Sequence, residues 1–311
     1  MPMALPHPLR TSRVRATERN QGSNLKKFVK LLTIAVICVT AACSKQDNFN
    51  TLPPGEMFKL LSLQAHTNPT WANSADLYEN AQNPSRWSPY LWASNAAALQ
   101  SLANDKPRLE ATIKALFDEM NANSVIDNEG NYRIIYRYPY FFEKYKISAP
   151  WYSAFGNAAV AAGLMHIRNL TSDTSKDPLI DDYLNTIITK YSYKNPKGNI
   201  WFAEYISDDL PNGHINVING HFFVIAVMYE WRNLKQTNKY DKHITQGLDT
   251  MRDELPNFIQ DGYFSYAEGF DHIKDYGQQR AVNFAVASCE LRNEICPIAV
   301  RYQKLFHDWA K

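Results

Sequence analysis

Apolar residues from about residue 57 onward recur at alternating steps of three and four, the spacing that lines one face of an α-helix. The clearest series is Ile215, Ile218, Phe222, Ile225 and Tyr229. Other series of this kind predict helices over residues 57–65, 90–104, 107–123, 152–167, 177–190, 240–255 and 298–309. Proline and glycine separate these stretches. The folded part of the chain is therefore predicted to hold roughly nine helices of moderate length.

Strand patterns are few along the chain. The stretches 132–138 and 262–266 are rich in β-branched and aromatic residues, in the manner of a short strand or hairpin arm. Helices of moderate length with short joins predict antiparallel helical hairpins, which either form a bundle or close into an α/α toroid. The predicted fold class is therefore all-α with few short strands.

The N-terminal region has the pattern of an export signal. Lys26, Lys27 and Lys30 precede a short apolar run over residues 31–39, and small residues and then Cys43 follow this run. The run is too short to span a membrane comfortably. Its end, Thr-Ala-Ala-Cys, is similar to a bacterial lipobox, in which the cysteine becomes lipidated.

This pattern divides the chain into three parts. Residues 1–42 are predicted to be a lipoprotein signal peptide with an extended n-region, 43–56 a polar tether, and 57–311 a single domain. The expected location is the bacterial cell envelope, periplasmic or associated with the outer membrane, with the membrane bound through lipid on Cys43. The alternative is an ordinary cleaved signal with an incidental cysteine.

The charge balance and the aromatic content of the chain limit the classes of partner that we expect it to bind. The 33 Lys and Arg residues nearly balance the 31 Asp and Glu residues, so the net charge is +2. Because the chain also lacks a long basic run, nucleic acid is not an expected partner. The 18 Tyr and 7 Trp residues suit either a helical core or a sugar-binding cleft.

Neither the cysteines nor the histidines are spaced for a metal site. The sequence has no CxxC pair and no Cys/His spacing typical of zinc. His214 and His221 lie two helical turns apart without an obvious third ligand, so no metal is expected. Cys289 and Cys296, seven residues apart, form either a disulfide in an oxidising compartment or two buried free thiols.

Three segments in the second half of the chain form one pattern. The first reads APWYSA over 149–154. The second reads WFAEY over 201–205 and is followed by VING over 217–220. The third reads GYFSY over 262–266 and is followed by Asp275-Tyr276 and an aromatic end at Tyr302 and Trp309. In order and spacing, these segments resemble the C-terminal domain of the glucuronyl C5-epimerases across residues 149–311.

The resemblance implies an α/α toroid, an incomplete α/α barrel, that inverts C5 of glucuronate within a polysaccharide to give iduronate. It implies a uronate-containing polysaccharide as partner and no cofactor. Carried over position by position, the catalytic residues that it implies are Glu204, Tyr205, Tyr266 and Tyr276. Candidate substrate contacts are Trp151, Tyr152, Lys274 and Arg280.

The types of these residues suit the chemistry. Inverting a carbon next to a carboxylate requires one group that removes its proton and a second group that returns a proton from the other face. Glu, with an ordinary pKa of about 4.3, is ionised at neutral pH, and Tyr, with an ordinary pKa of about 10, is protonated. The enolate-like intermediate also needs hydrogen-bond donors or cations placed in advance.

The chain departs from the family at several positions. Gly277, Arg280, Asn283 and Phe284 stand where the family more often has His, His, Gln and Leu, and the chain has no room for the β-rich region that precedes the domain in animal epimerases. The stretch 132–145 is the nearest substitute. Two other functions stay open: a polysaccharide lyase that also removes the C5 proton, and a non-catalytic glycan-binding protein.

Overall fold

The computed structural model describes residues 49–53, 55–57, 88–126, 133–135, 142–260, 263–265, 267 and 278–309. The predicted signal and Cys43 lie outside these ranges. The described residues form eight α-helices: α1 (Pro89–Ala98), α2 (Lys106–Ala122), α3 (Ala154–Thr171), α4 (Asp177–Lys190), α5 (Ile218–Lys235), α6 (Asp241–Glu254), α7 (Gln278–Leu291) and α8 (Cys296–Trp309). The prediction of a helical fold with few short strands is confirmed.

The strands of the described residues form four small antiparallel pairs. They are β1 (Ser124–Ile126) with β2 (Arg133–Ile135), β3 (Ser192–Lys194) with β4 (Ile200–Phe202), β5 (Tyr205–Ile206) with β6 (His214–Ile215), and β7 (Ile259–Gln260) with β8 (Tyr263–Phe264). The pairs β3–β4 and β5–β6 occupy the connection between α4 and α5. This connection carries the predicted base, and its strands were not predicted from the sequence.

Helices α3 and α5 form the centre of the core. Helix α3 packs against α1, α4 and α5, while α5 also packs against α6 and α7. Gly163 of α3 lets α1 pack closely on α3, since a Cβ atom at this position would collide with the Trp92 ring of α1. Most side chains of α5 are buried, because the helix is apolar on nearly all faces.

The observed helices follow the predicted ones closely where the periodic pattern is strong. The prediction over 177–190 coincides with α4, and the prediction over 107–123 differs from α2 by one residue at each end. The structure ends α1 at Ala98 and continues as a 3₁₀-helix over Leu99–Leu102, so the predicted helix over 90–104 is divided. Most of the helix predicted over 57–65 lies outside the described residues.

A segment ahead of the helices lies directly against them. This N-terminal strap, residues 49–53 and 55–57, includes the last part of the predicted tether. Its backbone N–H groups at Asn50, Leu52, Gly55 and Met57 donate to Leu291 O, the Tyr229 hydroxyl and the two carboxylate oxygens of Glu230. The Phe49 side chain is buried in the core. The strap is therefore held at the C-terminal ends of α5 and α7.

A disulfide joins Cys289 of α7 to Cys296, the first residue of α8. Of the two alternatives for these cysteines, the structure therefore has the disulfide.

Short loops join α3 to α4 and α5 to α6, as antiparallel hairpins require. None of the described helices is long and apolar enough to cross a membrane.

Candidate active site

Glu204 lies between β4 and β5, at the start of two core helices. The backbone of its neighbour Ala203 accepts a hydrogen bond from Ala154 N, the first residue of α3, at 2.9 Å. The Glu204 carboxylate lies against Gly220 in the first turn of α5 and is almost completely buried. Helix N-termini carry partial positive charge, so the N-terminus of α5 favours a negative charge at this position.

Gly220 provides the space that the Glu204 carboxylate occupies. A Cβ atom at position 220 would collide with Glu204 Oε2 and would approach Glu204 Cβ and Cδ to 3.0 Å. The glycine is therefore required by the close approach of the carboxylate to the helix backbone.

We expect Gly220→Ala to lower any activity that depends on Glu204 by at least about tenfold, because a small displacement of a catalytic group costs a large factor in rate. Activity per folded protein and circular dichroism are the measurements. Gly163→Ala is the matched control, because its methyl group meets Trp92 in the core and no site residue. Equal activity losses in the two variants would mean that Gly220 serves packing alone.

His221 fixes the strand that leads to Glu204. Phe202 N donates to His221 Nδ1 at 3.0 Å, and His221 Nε2 lies 3.0 Å from Gly247 O of α6. Since Nδ1 accepts, Nε2 carries the proton and donates to the carbonyl. Complete burial lowers the pKa of His221 to about 4, and the hydrogen bond to Gly247 offsets part of this effect. The imidazole is therefore neutral and joins β4, α5 and α6.

Tyr205 belongs to a small aromatic cluster. The Phe142 ring stacks on the Tyr205 ring with centroids 5.3 Å apart, and the rings of Tyr145 and Trp151 lie 5.0 and 5.2 Å from it. The predicted substrate contact Trp151 is thus buried in this cluster. Tyr152, the other predicted contact, is half-buried and pairs through its backbone with Ile206 of β5.

The turn over residues 142–147 adds two groups that the sequence analysis did not single out. Lys144 and Tyr145 both interact electrostatically with the Glu204 carboxylate. Burial and the nearby Glu204 charge both raise the pKa of Tyr145, so its hydroxyl stays protonated. The sequence marked this turn only by the many aromatic residues of 132–145, and that pattern does not predict an interaction with Glu204.

Several predicted site residues lie outside the described residues, namely Tyr266, Lys274 and Tyr276. Arg280 belongs to the first turn of α7, and its side chain lies outside the described part of the chain. Ser265 and Ala267, which flank Tyr266, are both buried. Ala267 pairs with Val217, the residue just before α5, so the described part of this segment reaches the helix end at which Glu204 lies.

The described side chains include no group of three His, Cys, Asp or Glu residues placed to hold a metal ion.

A sequence search found no matching curated protein. A comparison with protein families matches residues 127–285 to the family described as D-glucuronyl C5-epimerase C-terminus. This match begins before the first segment of the resemblance, ends within α7, and includes Glu204 and the three predicted site tyrosines. It covers just over half of the chain, and the chain therefore belongs to the D-glucuronyl C5-epimerase C-terminus family.

Proposed function

We propose that this protein epimerises glucuronate, or a related uronate, at C5 within a polysaccharide and uses no cofactor. The observation that carries the proposal is the position of the Glu204 carboxylate, which is buried against Gly220 with Lys144 and the protonated Tyr145 close by. A buried carboxylate at a helix N-terminus, within electrostatic range of an ammonium group and a protonated phenol, suits proton removal next to a substrate carboxylate. The family to which the chain belongs supports the same reaction class.

The proposed reaction needs two groups on opposite faces of the sugar ring. Glu204 is the proposed base, which removes the C5 proton, and Tyr276 is the proposed acid, which returns a proton from the other face. The electron pair of the C5–H bond moves into the substrate carboxylate and returns to C5 when the new proton arrives. Tyr205 and Tyr266 are proposed to orient and stabilise the ring.

Incorporation of solvent deuterium at C5, followed by NMR on glucuronate polymers in heavy water, tests the proposal. Wild-type protein is expected to incorporate deuterium and to give iduronate without cleaving the chain. Products that absorb in the near ultraviolet would instead identify a lyase, which expels the C4 oxygen after the same proton removal. Binding without exchange on any uronate glycan would favour a glycan-binding protein.

We further propose that the mature chain begins at a lipidated Cys43 and is held at the cell envelope. The proposal is motivated by the basic residues, the short apolar run and the small residues before this cysteine. Cys43→Ala is expected to move the protein from the membrane fraction into the soluble fraction, as measured by fractionation and immunoblotting. A variant that still sediments with membranes after a salt wash would contradict the lipid anchor.

A further inference from the structure

The turn over residues 142–147 holds two exposed lysines that have different neighbours. Phe142 N donates to Ile147 O at 2.8 Å, and this bridge closes the turn. Lys146 forms an ion pair with Glu143, in which both side chains are exposed. The Lys144 ammonium instead lies 5.1 Å from the centroid of the Tyr145 ring and interacts with the Glu204 carboxylate.

Aromatic contacts fix this turn to the strand that carries the proposed base. The Phe142 ring stacks almost parallel on Tyr205, with an interplanar angle of 11°. Tyr145 meets the same Tyr205 ring edge-on. Since Tyr205 directly follows Glu204, the position of Lys144 is tied to the position of the carboxylate rather than left to a free loop.

A cation near Glu204 suits the proposed reaction. A uronate ring brings its own carboxylate close to Glu204, and two negative charges at short range in a partly buried site repel each other strongly. As the C5 proton moves to Glu204, that side chain becomes neutral and the negative charge increases on the substrate carboxylate. A cation close to both carboxylates attracts the negative charge both before and after this transfer.

We propose that Lys144 binds the carboxylate of the uronate ring that is presented to Glu204. This proposal rests on the proposed function and names the residue that selects an acidic sugar over a neutral one. Burial lowers the pKa of Lys144, and the Glu204 charge opposes this effect. The Lys144 side chain is nevertheless exposed, so a bound glycan can reach its ammonium group.

The test compares Lys144→Gln with Lys146→Gln, a matched change in the same turn. Isothermal calorimetry measures the binding of a glucuronate-containing hexasaccharide and of the same hexasaccharide with its carboxylates reduced to alcohols. Lys144→Gln is expected to weaken binding of the acidic hexasaccharide on the order of tenfold or more and to leave binding of the reduced one unchanged. Lys146→Gln is expected to bind both glycans like the wild type.

Three results would overturn the proposal. In the first, Lys144→Gln binds the acidic glycan as tightly as the wild type. In the second, Lys144→Gln binds both glycans more weakly to the same extent, which is the result expected if Lys144 only holds Glu204 in place. In the third, the wild type does not distinguish the two glycans. Because the readout is binding, a protein that binds uronate without C5 exchange would refute the proposed reaction separately.

Discussion

Replacement of Glu204 by Gln is expected to slow deuterium incorporation at C5 by at least about two orders of magnitude. Gln has the shape of Glu but lacks a basic oxygen, so the variant keeps the contact with Gly220 and loses the proton acceptor. Buried carboxylates also influence folding, and the thermal unfolding of the variant is therefore measured beside its activity. Binding of the glucuronate hexasaccharide is expected to persist.

Glu143→Gln is the matched control for this variant. Glu143 lies in the turn that holds Lys144, but its carboxylate is exposed and pairs with Lys146. The control is expected to exchange at the wild-type rate. Tyr276→Phe is expected to lose activity to a similar extent as Glu204→Gln, because it removes the proposed proton donor of the other face. An unchanged rate in Glu204→Gln would refute its assignment as the base, whatever the substrate.

Acid is expected to destabilise the protein steeply between about pH 6.5 and about pH 4. His221 has a pKa of about 4 in the folded protein, whereas an exposed histidine has an ordinary value of 6.5. Above the ordinary value both states are neutral and the full stability is present. As the pH falls, the unfolded chain takes up the proton first, and the free energy of unfolding drops by about 3 kcal/mol in total.

This loss is large beside a total stability of about 5–15 kcal/mol for a typical domain. The pKa of His166 is also lowered to about 4 by burial, so it acts in the same direction. Protonation of His221 Nδ1 would also remove the acceptor of Phe202 N, two residues before Glu204. Activity is therefore expected to fall together with stability.

Urea unfolding at a series of pH values measures this effect. His221→Gln is expected to be less stable than the wild type near neutral pH, because its flexible side chain loses more conformational entropy than the rigid ring when it is held between the two backbone groups. Its free energy of unfolding is nevertheless expected to change less between about pH 6.5 and about pH 4, since the titrating group is gone. An equally steep dependence in wild type and variant would show that His221 is not responsible.

The helices could be predicted from the sequence because the features that form each helix lie within the helix itself or next to it along the chain. The apolar spacing and the acidic and proline residues at the start of α4 lie within the helix itself, and the prediction over 177–190 matched it. The strands β3 to β6 escaped prediction because each has only two or three residues, too few for a periodic signal. Their pairing depends on contacts with helices that are distant along the chain.

The sequence indicated which residue types the site contains, but it did not indicate which residues lie together in the fold. The WFAEY segment indicated Glu204, but its contact with Gly220 joins residues that the β5–β6 hairpin separates in sequence. Lys144 lies still further away along the chain, in a turn whose Tyr145 ring contacts the Tyr205 ring next to Glu204. Such proximity is set by tertiary packing and leaves no periodicity in the sequence.

Because the N-terminal strap is bound to α5 and α7, a pulling force on the N-terminal part of the chain reaches the domain through these two helices. Tension on the chain ahead of Phe49 passes into the backbone hydrogen bonds of Asn50 and Met57, at the C-terminal ends of α7 and α5. Along α5, Glu230 is ten residues, or about 15 Å, from Gly220. A force on the proposed N-terminal attachment would therefore act first on the end of α5 remote from Glu204.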